Sequence, residues 1–121
     1  MKKLLVSLIV SVMLLLSIST GVFAQTGYTP FAYEDLTALS TGVLTLNQTH
    51  ALIAGAVFIT IETNSIRYRV DNGDPSATNG HLVVAASYQN IWFNDPASIK
   101  WFKAIGVGGN ASLRVTYYRR N

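Results

Sequence analysis

Few side chains in this 121-residue chain are of types that do chemistry, and their spacing decides most of the question. There is no cysteine, which excludes thiolate nucleophiles, thiolate metal sites and disulfides. The two histidines, His50 and His81, each stand beside a turn and form no H-x-x-x-H pair of the kind that holds zinc on one helix face. Hydrolysis needs a nucleophile with a base, or two positioned carboxylates. Neighbours in the sequence assemble neither. The stretch Asp71-Asn72-Gly73-Asp74-Pro75-Ser76 has the hard oxygen ligands that calcium takes, but it lacks the third spaced acid and the distal glutamate of an EF-hand. We read it as a turn: Asp71-Asn72-Gly73 supplies positive-φ positions, Pro75 fixes the next bend, and Asn79-Gly80 makes another. The expectation is no catalytic residue, no bound metal and no cofactor.

Two groups of residues are better suited to binding. In Ser65-Ile66-Arg67-Tyr68-Arg69-Val70, period-two alternation sends Ile66, Tyr68 and Val70 inward and Arg67 and Arg69 outward, with Asp71 following on the outer face. Arg114 joins them if the last strand lies alongside. Clustered guanidinium groups hold a carboxylate or phosphate through paired hydrogen bonds; the competing reading is a solvated strand face with weak local ion pairs. The second group is aromatic: Tyr88, Trp92, Phe93, Trp101, Phe102, Tyr117 and Tyr118 crowd the C-terminal part. Adjacent pairs send one ring to each face of a strand, and Trp92, Trp101 and Tyr118 are the rings expected outside. Exposed rings imply a partner surface or a second packing layer, and sugar stacking is one use of them.

The elements that position these groups follow a change of composition at residue 24. Residues 1–24 begin with Lys2 and Lys3, continue as an apolar run to about Ile18, and end in small residues around Val22-Phe23-Ala24. That is the plan of a secretory signal helix cut after Ala24. The apolar run is shorter than the ~20 residues a retained spanning anchor needs, and no cysteine follows for lipid attachment. The whole chain carries +3, but two of its nine basic residues belong to this segment. The remaining seven face six acids, so the exported part is near +1. Nucleic-acid binding loses its compositional support, and membrane contact is expected only through the signal segment before cleavage.

The 97 residues that remain make one domain. Residues 25–41 read as an N-terminal arm, or as a short helix opened by Thr29 and Pro30 with Ala32, Leu36, Leu39 and Val43 at helical spacing. Residues 42–121 are a series of short runs rich in β-branched and aromatic residues, broken every 8 to 12 residues by turn formers. The runs are 42–46, 54–62, 65–70, 81–86, 88–93, 98–107 and 112–119. This predicts an all-β fold, a single small β-sandwich of about seven strands, immunoglobulin-like or jelly-roll-like.

The stretches IRYRVDNGDPSATNGHLV and IKWFKAIGVGGNASLRVTYYR carry a resemblance over about residues 43–120. They are similar to small β-rich proteins of tailed-phage and metagenomic origin, whose pattern runs I-R-Y-R-x-D-G-x-x-P-T, then a hydrophobic strand, then A-x-L-x-V-x-Y-Y. The first stretch also resembles, in one hairpin, the immunoglobulin-like domains at the ends of some chitin-degrading enzymes. Here Gly73 does not directly follow Asp71, and Ser76 replaces the threonine. The resemblance implies a β-sandwich with a structural or attachment role and carries over no catalytic residue. A virion protein assembles in the cytoplasm and has no use for residues 1–24, so the signal favours a secreted, periplasmic or cell-surface role. The sequence thus points to an exported non-catalytic module for attachment or assembly whose partner is a protein, a glycan surface or a second copy. A carbohydrate-binding module using the exposed aromatics is the alternative. Its candidate binding residues are Arg67, Arg69, Arg114, Trp92, Trp101 and Tyr118.

Overall fold

A computed structural model describes residues 27–85 and 89–121. The expected signal helix and Tyr88 lie outside the described residues. Eight strands and two short helices follow one another: β1 (Tyr28–Ala38), β2 (Leu44–Thr45), α1 (Gln48–Ala51), β3 (Ala56–Glu62), β4 (Ser65–Arg69), β5 (His81–Val83), β6 (Ile91–Phe93), α2 (Pro96–Trp101), β7 (Lys103–Val107) and β8 (Ala111–Arg120). They form two antiparallel four-stranded sheets, in the orders β1-β8-β3-β6 and β2-β7-β4-β5. The two sheets pack as a β-sandwich.

Alternation builds the core. On β3, Val57, Ile59 and Ile61 are buried while Phe58 and Thr60 are only partly covered. On β8, Ala111, Leu113, Val115 and Tyr117 are buried against them. The second sheet contributes Ile66, Val83 and Ala104, and Leu46, Ile99 and Phe102 come from the segments that cross between sheets. Each fully buried side chain of this size contributes roughly 1.5–3 kcal/mol, the stabilisation that a cysteine-free domain must find in packing. No polar or charged side chain among the described residues is fully buried.

Three expectations are corrected. Residues 28–38 are neither a free arm nor a helix: they form β1, which pairs with β8 from Tyr28↔Arg120 to Ala38↔Ala111 and makes the strand count eight. Pro30 is tolerated because β1 is an edge strand, and the register shifts between Pro30 and Ala32. Beyond that bulge, Glu34, Leu36 and Ala38 turn inward by alternation, a period-two pattern that the helical spacing of Leu36, Leu39 and Val43 had masked; Leu39 and Val43 are exposed. Residues 98–107 are not one strand, because Asp95 caps α2, its carboxylate accepting the Ser98 N–H at 2.7 Å with Pro96 at the first helical turn. The turn at residues 47–50 is likewise one turn of helix, capped by the Asn47 side chain, which accepts from the Thr49 and His50 N–H groups.

Candidate functional site

The outer face of the first sheet is built from the positions that alternation turns away from the core. Ladder pairing sets Phe58 opposite Trp92 and Thr116, and Ala56 opposite Tyr118. The bulge in β1 brings Pro30 opposite Tyr118 and Tyr33 opposite Thr116. Four rings meet across this face. The Trp92 centroid lies 5.3 Å from Tyr118, 5.6 Å from Tyr28 and 6.4 Å from Phe58, at interplanar angles of 59°, 83° and 52°. Ala56 shares this outer face by alternation, yet it is completely buried. Trp92 itself remains 45% exposed.

A charged group borders the rings on the same face. The Arg114 guanidinium stands 2.5 Å from the Asp35 carboxylate and 3.2 Å from that of Glu62. Arg114 holds the Asp35 carboxyl below the usual carboxylate range, and the Tyr33 hydroxyl, which donates to Asp35 at 2.5 Å, adds to that effect. All three charged partners are well exposed, so the pairs contribute little stability. They order the surface.

Arg67 and Arg69 lie on the other sheet, on β4, so Arg114 does not join them. Both are bonded to the loop that follows their strand. Arg67 donates from Nε to the Ala77 carbonyl at 3.0 Å and from Nη1 to the Gly80 carbonyl at 2.8 Å. Arg69 grips Asp71 with two hydrogen bonds, 2.9 and 2.5 Å, and this charge-assisted pair lowers the Asp71 carboxyl to about 2. Lys103 adds a third tie, from Nζ to the Asn72 carbonyl at 3.0 Å and to Asp74 at 2.7 Å. The basic residues of this face therefore serve as struts for the chain reversal. A polar cleft of about 390 Å³ bordered by Arg69, Asp71, Asn79 and His81 remains beside them. Among the described residues no group of His, Asp or Glu could hold a metal ion.

Trp101 is separate from both faces. It ends α2, is 40% exposed, and has the Lys100 ammonium 5.9 Å from its ring centre. Its neighbour Phe102 is fully buried and stacks with Tyr68 at 5.6 Å. Of the expected binding residues, then, the fold brings Trp92, Tyr118 and Arg114 together, holds Arg67 and Arg69 in a loop scaffold, and leaves Trp101 apart. Tyr28 and Phe58 complete the ring cluster without having been singled out. Phe58 was readable from its alternation against Val57; Tyr28 required knowing that residues 28–38 are a strand.

At the rim of the sandwich, Glu34 points inward from the edge strand and accepts hydrogen bonds from the Tyr117 hydroxyl and, at 3.2 Å, from the Asn47 N–H. Burial, with Glu34 beside it, pushes the Tyr117 hydroxyl well above its ordinary range and keeps it protonated. An inward carboxylate on a long edge strand also disfavours further strand pairing. Compared with family models, with curated proteins and with solved structures, the chain matches none.

Proposed function

We propose that this chain is a non-catalytic module for attachment or assembly, carried to the cell surface, periplasm or medium by residues 1–24, and that it binds through the outer face of its first sheet. The observation that carries this reading is the cluster of Tyr28, Phe58, Trp92 and Tyr118 around a half-exposed indole, bordered by Arg114. Tryptophan, tyrosine and arginine are the residues that dominate binding energy at interfaces, above all where they stand on a stiff support. Four hydrogen-bonded strands are such a support.

The strand order deepens the reading. We take the fold as a jelly roll and not an immunoglobulin sandwich, because β1 pairs with β8, β2 with β7, β3 with β6 and β4 with β5, a nested set spread over two four-stranded sheets. Immunoglobulin sandwiches instead divide seven strands into four and three in the constant type, or have nine strands in the variable type. Jelly rolls serve capsid and lectin domains alike, which agrees with a phage-like origin and leaves function to the site. Carbohydrate binding is the second reading, favoured by the exposed Trp92 indole against the Tyr118 ring. The rings are steeply inclined to one another, so they offer one stacking face and not a flat track along a polysaccharide.

The test is retention of the full-length product on intact cells and on a panel of insoluble polysaccharides, with Trp92→Ala and Trp101→Ala compared. Binding that is lost with Trp92→Ala and kept with Trp101→Ala supports this face; binding indifferent to Trp92 rejects it.

A further inference from the structure

We propose that the occupant of this face is a second copy of the same chain, packed sheet on sheet about a twofold axis that runs across the strands; this rests on the reading of the face as the binding surface. The argument comes from how charge is distributed along β8. At one end stands Arg120, opposite Tyr28 in the ladder and exposed, its guanidinium making no ion pair or hydrogen bond among the described residues. In the middle lie the rings, at the levels of Tyr118 and Thr116. At the other end one cation, Arg114, sits between two carboxylates, Asp35 and Glu62, and leaves a net charge near −1. The face is neutral in sum and polarised along its length.

A face of that kind is complementary to itself in one orientation. Rotation by half a turn about an axis crossing β8 at the level of Tyr117 brings the two ring clusters together and sets each Arg120 at the level of Arg114 and Asp35 of the other copy, where the net charge is negative, about 10 Å from the axis on either side. Both contacts then occur twice, as an isologous interface requires. An axis along the strands would instead set the two Arg120 side chains near each other, and like charges there oppose it. Size allows it as well. Strands of 11, 10, 7 and 3 residues about 4.8 Å apart give a flat footprint of roughly 500 Å² before side-chain relief is added, against the ~800 Å² of accessible surface per partner found in stable complexes, and aligned packing at about 10 Å is the ordinary way two sheets meet. Association would cover the part of the Trp92 indole that Tyr28, Phe58 and Tyr118 leave exposed.

The experiment is sedimentation velocity on the protein expressed from its full-length sequence, across low to high micromolar concentration, with tryptophan emission read in parallel. A concentration-dependent monomer–dimer equilibrium is expected, with emission moving to the blue as the dimer forms. Trp92→Ala should raise the dissociation constant roughly thirty-fold or more, as loss of a central anchor does. Arg120→Glu, a change at an exposed position that leaves folding alone, should raise it about ten-fold, and Arg120→Lys should nearly preserve it. A protein that stays monomeric at every concentration, yet is held on a surface or polysaccharide through Trp92, overturns self-association and leaves the binding face standing. A dimer indifferent to both Trp92→Ala and Arg120→Glu overturns the proposal together with that face.

Discussion

Asp71 shows how a residue chosen for turn chemistry takes on a second task. Its carboxylate accepts two hydrogen bonds from Arg69 and a third, at 3.2 Å, from the Gly73 N–H. Asn72 supplies the one left-handed backbone position of this turn, at φ 67°, so Gly73 is there for a different reason. A Cβ at residue 73 would lie 2.5 Å from the Arg69 guanidinium carbon. Gly73→Ala therefore pushes the guanidinium off Asp71, and a long flexible side chain can yield. We expect the Asp71 carboxyl, followed by carbon NMR, to titrate at about 2 in the native protein and to move back toward 3.8 in Gly73→Ala. The sign follows from the depressed value: whatever the pair contributes is present above the ordinary carboxylate range and is lost as pH falls toward 2. Because Asp71 is exposed and Arg69 keeps part of its side chain in solvent, the melting temperature should hardly change. An unmoved titration in the variant would show that Arg69 is not what holds the carboxylate. The sequence disclosed the reversal here, since Asn, Gly and Pro announce it; that Gly73 gives room to an arginine needed the side chains in place.

Helix α2 is the element that reading by runs of apolar residues passed over. Residues 98–107 contain enough Ile, Trp, Phe and Val to look like a strand, and only the preceding Asp95-Pro96 dipeptide argues otherwise. The cap decides it. Six residues form no stable helix by propensity alone, so the Asp95 bond to the Ser98 N–H and the burial of Ile99 carry most of what holds it. Asp95→Ala should cost about 1 kcal/mol and lower the melting temperature by about 4–8 °C in a domain of this size, whereas Asp95→Asn, which also caps, should cost little. Calorimetry of the two variants distinguishes the cap from a mere charge effect. Elsewhere alternation was sufficient: β3, β4 and β8 stand where their period-two patterns put them, with Ile66, Val57 and Leu113 inside. The edge strand β1 was illegible for a physical reason. Its bulge shifts the alternation between Pro30 and Ala32, so no single period-two pattern runs through residues 28–38, and the helical spacing of Ala32, Leu36 and Leu39 wins by default.

For the molecule as a whole, nested pairing means that the strand farthest from β1 in sequence is its neighbour in space. Tyr28 faces Arg120, the Asn121 N–H donates to the Gly27 carbonyl at 3.0 Å, and Thr29 donates to the Asn121 side chain at 2.8 Å. Every outer pair must therefore close a loop that encloses all the inner ones. Pairing over such separations is slow, because chain entropy is lost before the contacts repay it. The innermost hairpin, β4 with β5, is the cheapest to close, though its loop is long and is braced by Arg67, Arg69 and Lys103. A short flexible linker from residue 121 to residue 27 turns β8 and β1 into a local hairpin whose strands are paired along Tyr28–Ala38 and Ala111–Arg120. Opening that circle at Thr78, where the chain is exposed, gives a permuted protein with the same pairings in a new order. It should keep the two-sheet fold, read by amide NMR, and refold several-fold faster than the natural order if closure of β1 on β8 is part of the rate-limiting step. An unchanged refolding rate with the fold intact would place that closure after the transition state. β1 would then be a late-docking edge, in keeping with the inward Glu34 and the bulge at Pro30 that guard it.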